Sequence, residues 1–321
     1  YLRGLHLWNK RTPAALREAA EVLSEAVQRD ETFAPAWGAM AMCHTTLGFS
    51  SVTRPIDAFG LAQAAANHAL RLDRGQADAL TARACVRAVF DWDAAGAERD
   101  FRDVMSHAPS HATAQQWYAT NLLMPLGRFA EAGEHLRAAR TLDPLSPSII
   151  ISSGLLHVLE GDMPSAIAEY DRALAMDPTF GMACFFKGAA LSQAGEHDAA
   201  LTELAHARTL MPASAEVHAR LGAARAAAGD RAGAEQVLSE LSEAAQTRYI
   251  SPMQLALVRV SLGDLNGAAA DIMRGIEERA TEVIWLDVRA SWAPVRASAH
   301  WPALADARDR AKRAAASTLF R

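Results

Sequence analysis

The chain has 321 residues, half of them apolar and only 7% aromatic, with a formal net charge of −5. That length would suggest about two compact domains unless the chain is a repeat array, and its mild acidity offers no basic field to a phosphate backbone, so nucleic acid is not an expected ligand. No run approaches the roughly 20 apolar residues of a membrane span, and abundant alanine with hardly any alternating β-branched runs predicts an all-α protein.

The chain opens on Tyr1 with neither an initiator Met nor an apolar leader, as a piece of a longer polypeptide would. The first predicted helix pair runs from Leu2 to Arg29 and turns at Lys10-Arg11-Thr12-Pro13, with Thr12 as N-cap and Pro13 as the first helical residue. Trp37, Ala41 and Gly48 open a second pair whose second helix starts only near Ile56. An enlarged loop is therefore expected across Ser50-Ser51-Val52-Thr53-Arg54-Pro55.

From residue 76 onward a period emerges. Pro109, Pro144, Pro178 and Pro212 close successive segments 35, 34 and 34 residues apart, and a fixed period of that size marks stacked supersecondary units. In 76–110, Ala97, Phe101 and Pro109 fit the register, and Asp91-Trp92-Asp93 stand where later units turn on glycine. In 111–145 the matching residues are Gly127, Ala132, Leu136, Ala139 and Pro144. The clearest copies are the next two, where Gly154, Gly161, Ala166, Tyr170 and Ala173 recur as Gly188, Gly195, Ala200, Leu204 and Ala207.

Gly154 and Gly188 fall in mid-helix, where glycine costs about 1 kcal/mol against alanine. A neighbouring helix is expected to cross there too closely for a Cβ. Gly161 and Gly195 are expected to end the first helix in the left-handed conformation. The alanines line the seam of the second helix, and Tyr170 and Leu204 fill the space between. Toward the C-terminus, Gly222, Gly229 and Ala234, then Gly263 and Ala268, keep the spacing without the closing proline. Each unit reads as a helical hairpin.

Beyond about Thr281 the period stops. Trp285, Trp292 and Trp301, in a stretch broken by Pro294 and Pro302, precede a last helix that runs to Leu319. Residues 283–321 are predicted to be a Trp-rich cap over the final hairpin, with a tryptophan-lined binding site as the alternative. Arg308, Arg310, Lys312 and Arg313 read as a solvated turn whose cations suit the helix C-terminus.

Small residues in both helices, an aromatic in the second and a closing proline together resemble the tetratricopeptide repeat (TPR) over nearly the whole chain. The resemblance implies a right-handed α-solenoid superhelix of about eight hairpins, at roughly 1–32, 33–75, 76–110, 111–145, 146–179, 180–213, 214–247 and 248–282. Tyr1-Leu2-Arg3-Gly4, Trp8-Asn9-Lys10-Arg11-Thr12, Phe90-Asp91-Trp92-Asp93, Leu142-Asp143-Pro144-Leu145-Ser146-Pro147 and Arg248-Tyr249-Ile250-Ser251-Pro252 are further similar to a bacterial subgroup. There such arrays form the C-terminal parts of multidomain signalling proteins: winged-helix regulators, class III cyclases and serine/threonine kinases, often with a TolB-like domain. The likeness implies a regulatory or scaffolding arm.

In stacked hairpins of this kind the first helix of each unit lines the concave face, and its second, fifth, sixth and ninth positions point into the groove. That rule selects Trp117, Tyr118, Asn121, Ile151, Leu155, Met182, Phe185, Phe186 and Arg220 as candidate partner-binding residues, and in the last unit Met253, Gln254 and Leu257. So apolar and aromatic a lining suits an amphipathic helix or an apolar peptide better than an acidic tail. A lysine-rich carboxylate clamp is disfavoured, since only Asn121 and Arg220 would contribute to one. The competing readings are a small molecule or lipid in the same groove, inter-repeat core, and a groove filled by the chain's own terminal segment.

No phosphate-cradling glycine loop, nucleophile elbow or Cys–His pair at motif spacing is present in the sequence, so no enzymatic activity, cofactor or metal is expected of this chain. His107 and His111 have i, i+4 spacing, but Pro109 lies between them and no nearby Glu or Cys completes a set. Cys43, Cys85 and Cys184 are far apart among apolar neighbours and read as reduced core residues. They favour the cytoplasm, with the periplasmic part of a membrane-tethered regulator as the alternative. An apolar repeat face leaves self-association open.

Overall fold

The computed structural model describes residues 1–50 and 53–319, with side chains as far as Ala315. Among the described residues, sixteen helices pair into eight hairpins. They are α1 (Leu2–Asn9) with α2 (Pro13–Arg29), α3 (Ala34–Phe49) with α4 (Pro55–Leu72), α5 (Ala77–Val86) with α6 (Ala94–His107), and α7 (Ala112–Tyr118) with α8 (Phe129–Leu142). There follow α9 (Pro147–Glu160) with α10 (Met163–Met176), α11 (Gly181–Ala194) with α12 (His197–Leu210), α13 (Ala215–Ala227) with α14 (Arg231–Ala244), and α15 (Pro252–Leu262) with α16 (Leu265–Glu277). Each helix packs on the next, and first helices of neighbouring hairpins also touch, as α3 does α5 and α13 does α15. The result is an all-α, TPR-like solenoid. The expected long loop joins α3 to α4, and Ser51 and Val52 within it lie outside the described residues.

The local chemistry explains the hairpins. Thr12 Oγ1 accepts from the Ala15 amide at 3.3 Å, with Pro13 opening α2. Asp162, Asp230 and Asp264 cap the second helices α10, α14 and α16 in the same way. Gly161 ends α9 at φ +86°, where a side chain would be strained. A Cβ on Gly154 would lie 2.5 Å from Cε1 of Tyr170, so the missing methyl is what lets α9 and α10 cross closely.

Hairpins three and four depart from the pattern. Helices α5 and α7 run on into π-helical turns at Arg87–Asp91 and Ala119–Leu123, a feature frequent at functional sites. Trp92 then takes the left-handed position, at φ +57°, that glycine holds in the regular units. For a residue with a Cβ that conformation costs about 1–2 kcal/mol. It sits where the chain's C-terminal part arrives: Arg279 Nη1 donates to the Phe90 carbonyl at 3.4 Å, and its guanidinium lies over the Phe90 and Trp92 rings.

After α16 come two 3-10 turns, Thr281–Trp285 and Ala290–Trp292, then α17 (Ala293–Arg296) and α18 (Trp301–Leu319). This tail does two things. Trp292, Val295 and Leu304 pack with Ile272 and Ile276 of α16 and so cover the last hairpin. Trp285 turns the other way and joins the buried cluster of Phe59, Val89, Phe90 and Trp117. Arg296 Nη1 fixes the bend by donating to the carbonyls of Leu286, at 2.7 Å, and Arg289, at 2.9 Å. Arg308, expected to be solvated, is instead 11% exposed and pairs with Asp287 at 2.7 Å, because α18 folds back along the tail.

Candidate functional site

The groove is closed into a lumen from two sides. The solenoid brings its first two hairpins round to the sixth and seventh, so that Arg11, Leu16 and Phe49 share the walls of one cavity with Met182, Met211 and Glu216. Residues 281–291 of the tail cross the remaining opening. Two larger, partly enclosed cavities are left behind them, of about 280 Å³ and 220 Å³.

Of the twelve residues selected from sequence, eight meet here; Met253, Gln254 and Leu257 are buried and line neither cavity, Met253 and Leu257 packing in the cluster of α16 and the tail. Leu155 and Phe186 line both cavities, Phe185 and Arg220 the first, and Trp117, Asn121, Ile151 and Met182 the second. Tyr118 lies elsewhere. Its ring packs against Phe101 and His135, and its hydroxyl donates to Glu98 Oε1 at 3.1 Å; one helix step beyond Trp117, it faces α6 and α8. Trp117, Ile151 and Phe185 are buried by the chain itself. Trp117 reaches the Trp8 and Phe49 rings at 6.4 and 5.7 Å, so it serves at once as groove lining and as core.

The lumen also gathers charge that the sequence did not announce. Arg11, Glu216, Glu282 and Arg289 line the second cavity, while Arg289, Glu160 and the already selected Arg220 line the first. Burial pushes the Glu216 carboxyl above the usual carboxylate range, helped by nearby Glu282, and Glu282 is raised by its own burial. Burial pulls Arg220 down to about 10, with the adjacent Arg289 cation adding to the effect. Arg11 falls to about 10 and Arg289 is lowered, again chiefly by burial. Arg289 lies 4.4 Å over the Trp285 ring, so tail anchor and lumen charge are one unit. In the lining of the first cavity, the Tyr170 hydroxyl and the Nε atoms of Arg220 and Arg289 have no hydrogen-bond acceptor among the described residues.

A metal-compatible group was equally invisible in sequence. Ligand atoms of Cys184, Glu203 and His206 all lie within 4.8 Å of one another, brought together by adjacent helices α11 and α12. Glu203 is already bonded to Lys187 Nζ at 2.7 Å, and burial pushes the Cys184 thiol up, so a cation would have to displace an ammonium and deprotonate a reluctant thiol. His107 and His111 do not converge: His107 Nδ1 contacts the Asp103 carbonyl, whereas His111 Nε2 contacts Asp78 Oδ1 at 2.9 Å. Cys43, Cys85 and Cys184 are free and buried, and among the described residues no helix is long and apolar enough to cross a membrane.

No protein-family profile matches the chain. Over 107 residues it is 31% identical to anaphase-promoting complex subunit 3 of Schizosaccharomyces pombe, a stretch that is 33% of this chain and 16% of that protein. The crystal structure of the APC/C hetero-tetramer Cut9-Hcn1 superposes with a TM-score of 0.60 at 16% identity, covering 92% of this chain and 59% of that one. A tetratricopeptide repeat protein from Parabacteroides merdae gives 0.53 at 14% identity over 75% and 93%. Likeness at such identities establishes the fold.

Proposed function

We propose that this chain is a non-enzymatic interaction module that holds a peptide or helical segment of a second protein, as the regulatory or scaffolding arm of a bacterial signalling protein. The seating of residues 281–292 carries the reading. A groove that grips its own chain through a buried aromatic anchor, Trp285, and a cation laid over that anchor, Arg289, has the parts with which a foreign segment would be gripped. Trp117, Ile151, Leu155, Met182, Phe185 and Phe186 supply the apolar wall, with Asn121 and Arg220 as its polar positions. The perturbed carboxyl groups fit this role as well, because ion networks that hold a segment in place also shift acidities. Glu216 and Glu282 each have Arg289 within electrostatic reach.

A tethered tail competes at an effective concentration of about millimolar, so a partner binds when the tail is loosened. The test is fluorescence polarisation with a labelled peptide copying residues 279–296, titrated with the parent and with Trp285→Ala. Clear binding to the variant and at least tenfold weaker binding to the parent is the expected result. Failure of both folded proteins to bind the peptide would sink the reading.

A further inference from the structure

We propose that the 280 Å³ cavity is a binding site for a small monocarboxylic acid with an apolar body, the carboxylate held by Arg220, Arg289 and Tyr170 and the body by Leu155, Phe185 and Phe186. The inference stands on the cavity alone and does not rest on the peptide reading.

The donors come first. Tyr170 is fully buried, yet its hydroxyl has no acceptor, and the Nε atoms of both arginines are in the same condition. A buried polar group without a partner is costly, and groups left in that state call for an explanation. Three such donors lining one cavity are explained together by one acceptor group set among them. Its charge follows from the neighbours. Among the described residues neither guanidinium forms an ion pair, although Glu216 is close enough to both to be felt. The cavity itself is lined by two arginines, Arg220 and Arg289, and one carboxyl group, Glu160, so one further negative charge brings it to neutrality. A carboxylate supplies it and matches the planar guanidinium fork.

The rest of the wall sets the body of the ligand. Leu155, Val158, Phe185 and Phe186 make most of it apolar, with Glu160, Gln193 and Ser291 as its other polar residues, and the volume lies near the low end of small-molecule pockets. The acid would be a small one. The ligand would also bridge Arg220 on α13 to Arg289 on the tail. Occupancy therefore favours the seated tail, since whatever binds only the closed form stabilises it by mass action.

The probe is octanoate, titrated calorimetrically into the whole chain, with octylamine, octanol and acetate run alongside. Octanoate is expected to bind, and acetate, octanol and octylamine at least tenfold more weakly. Tyr170→Phe keeps the ring that packs on Gly154 and should weaken octanoate about tenfold by removing one bond to a charged acceptor; Arg220→Gln, shown folded by circular dichroism, should abolish it. Equal binding of octylamine would reveal an undiscriminating apolar cavity, and full retention by folded Arg220→Gln or absence of octanoate binding to the parent would overturn the assignment. A labelled peptide ending in a free carboxylate, tested on the same variants, separates a chain terminus as the source of the acid; tighter binding of that peptide than of octanoate would also count against a small molecule.

Discussion

Replacing Trp285 by Ala tests whether the tail is a separable element seated in the lumen or an integral part of the core. A buried tryptophan removes about 150–250 Å² from water, worth roughly 4–6 kcal/mol at 25 cal/mol per Å² as an upper figure. Truncations of this kind cost about 3–5 kcal/mol. If the tail opens on its own, that loss acts on its opening equilibrium, and about 3 kcal/mol is roughly a hundredfold. Native-state hydrogen exchange reads it directly. The amides of Val283, Leu286 and Arg289 bond to the carbonyls of Ala280, Val283 and Trp285, and their protection should fall roughly a hundredfold while amides inside α9–α12 stay protected. A uniform fall along the whole chain would show that the tail does not open separately, and an unchanged tail would show that Trp285 is not its anchor.

Gly154→Ala should destabilise the chain by about 1–3 kcal/mol in urea denaturation through overpacking, because the new methyl meets the Tyr170 ring at 2.5 Å; a neutral result would mean that the ring yields freely. Glu216 has its folded acidity raised by burial among Glu282, Arg289 and Arg220. Its contribution to stability is therefore greatest at low pH and is lost as pH climbs from the unfolded value of roughly 4.3 through the raised folded one. Glu216→Gln should accordingly be more stable than the parent at neutral pH and converge with it near pH 4 in pH-resolved denaturation. A variant that loses stability at neutral pH would instead show that the carboxylate is favourably held there.

What could be read from the sequence was what neighbours decide. The turn glycine Gly161, the crossing glycine Gly154 and the N-cap Thr12 each act within one hairpin, and each is found where spacing placed it. Groove positions were legible in the middle units, where helix phase turns Trp117 and Asn121 of one hairpin and Phe186 of another to the cavities, but not in the last, where Met253, Gln254 and Leu257 are buried and line neither cavity. Tyr118, adjacent to Trp117, could not be assigned by position counting, since α7 is about to widen into its π-helical turn and Glu98, on another helix, claims the hydroxyl. The lumen was hidden for a different reason. Trp285 shares a buried cluster and a cavity wall with Trp117 only because the solenoid winds round on itself, and Arg279 reaches the Phe90 carbonyl across a sequence separation of 189 residues. Periodicity constrains contacts between adjacent units and is silent about contacts a full turn apart.

The seating of Trp285 in the cavity that Trp117 lines also sets an order of events during synthesis. Roughly 170 residues separate the two, so at about 5–20 residues per second the ribosome needs roughly 10–30 s to deliver the plug after the pocket wall has emerged. Throughout that interval Phe49, Val89 and Trp117, which line the cavity with Trp285, face an unfilled channel, and exposed apolar surface of this kind is what chaperones engage in a nascent chain. The tail is thus the last piece needed to cover this apolar wall.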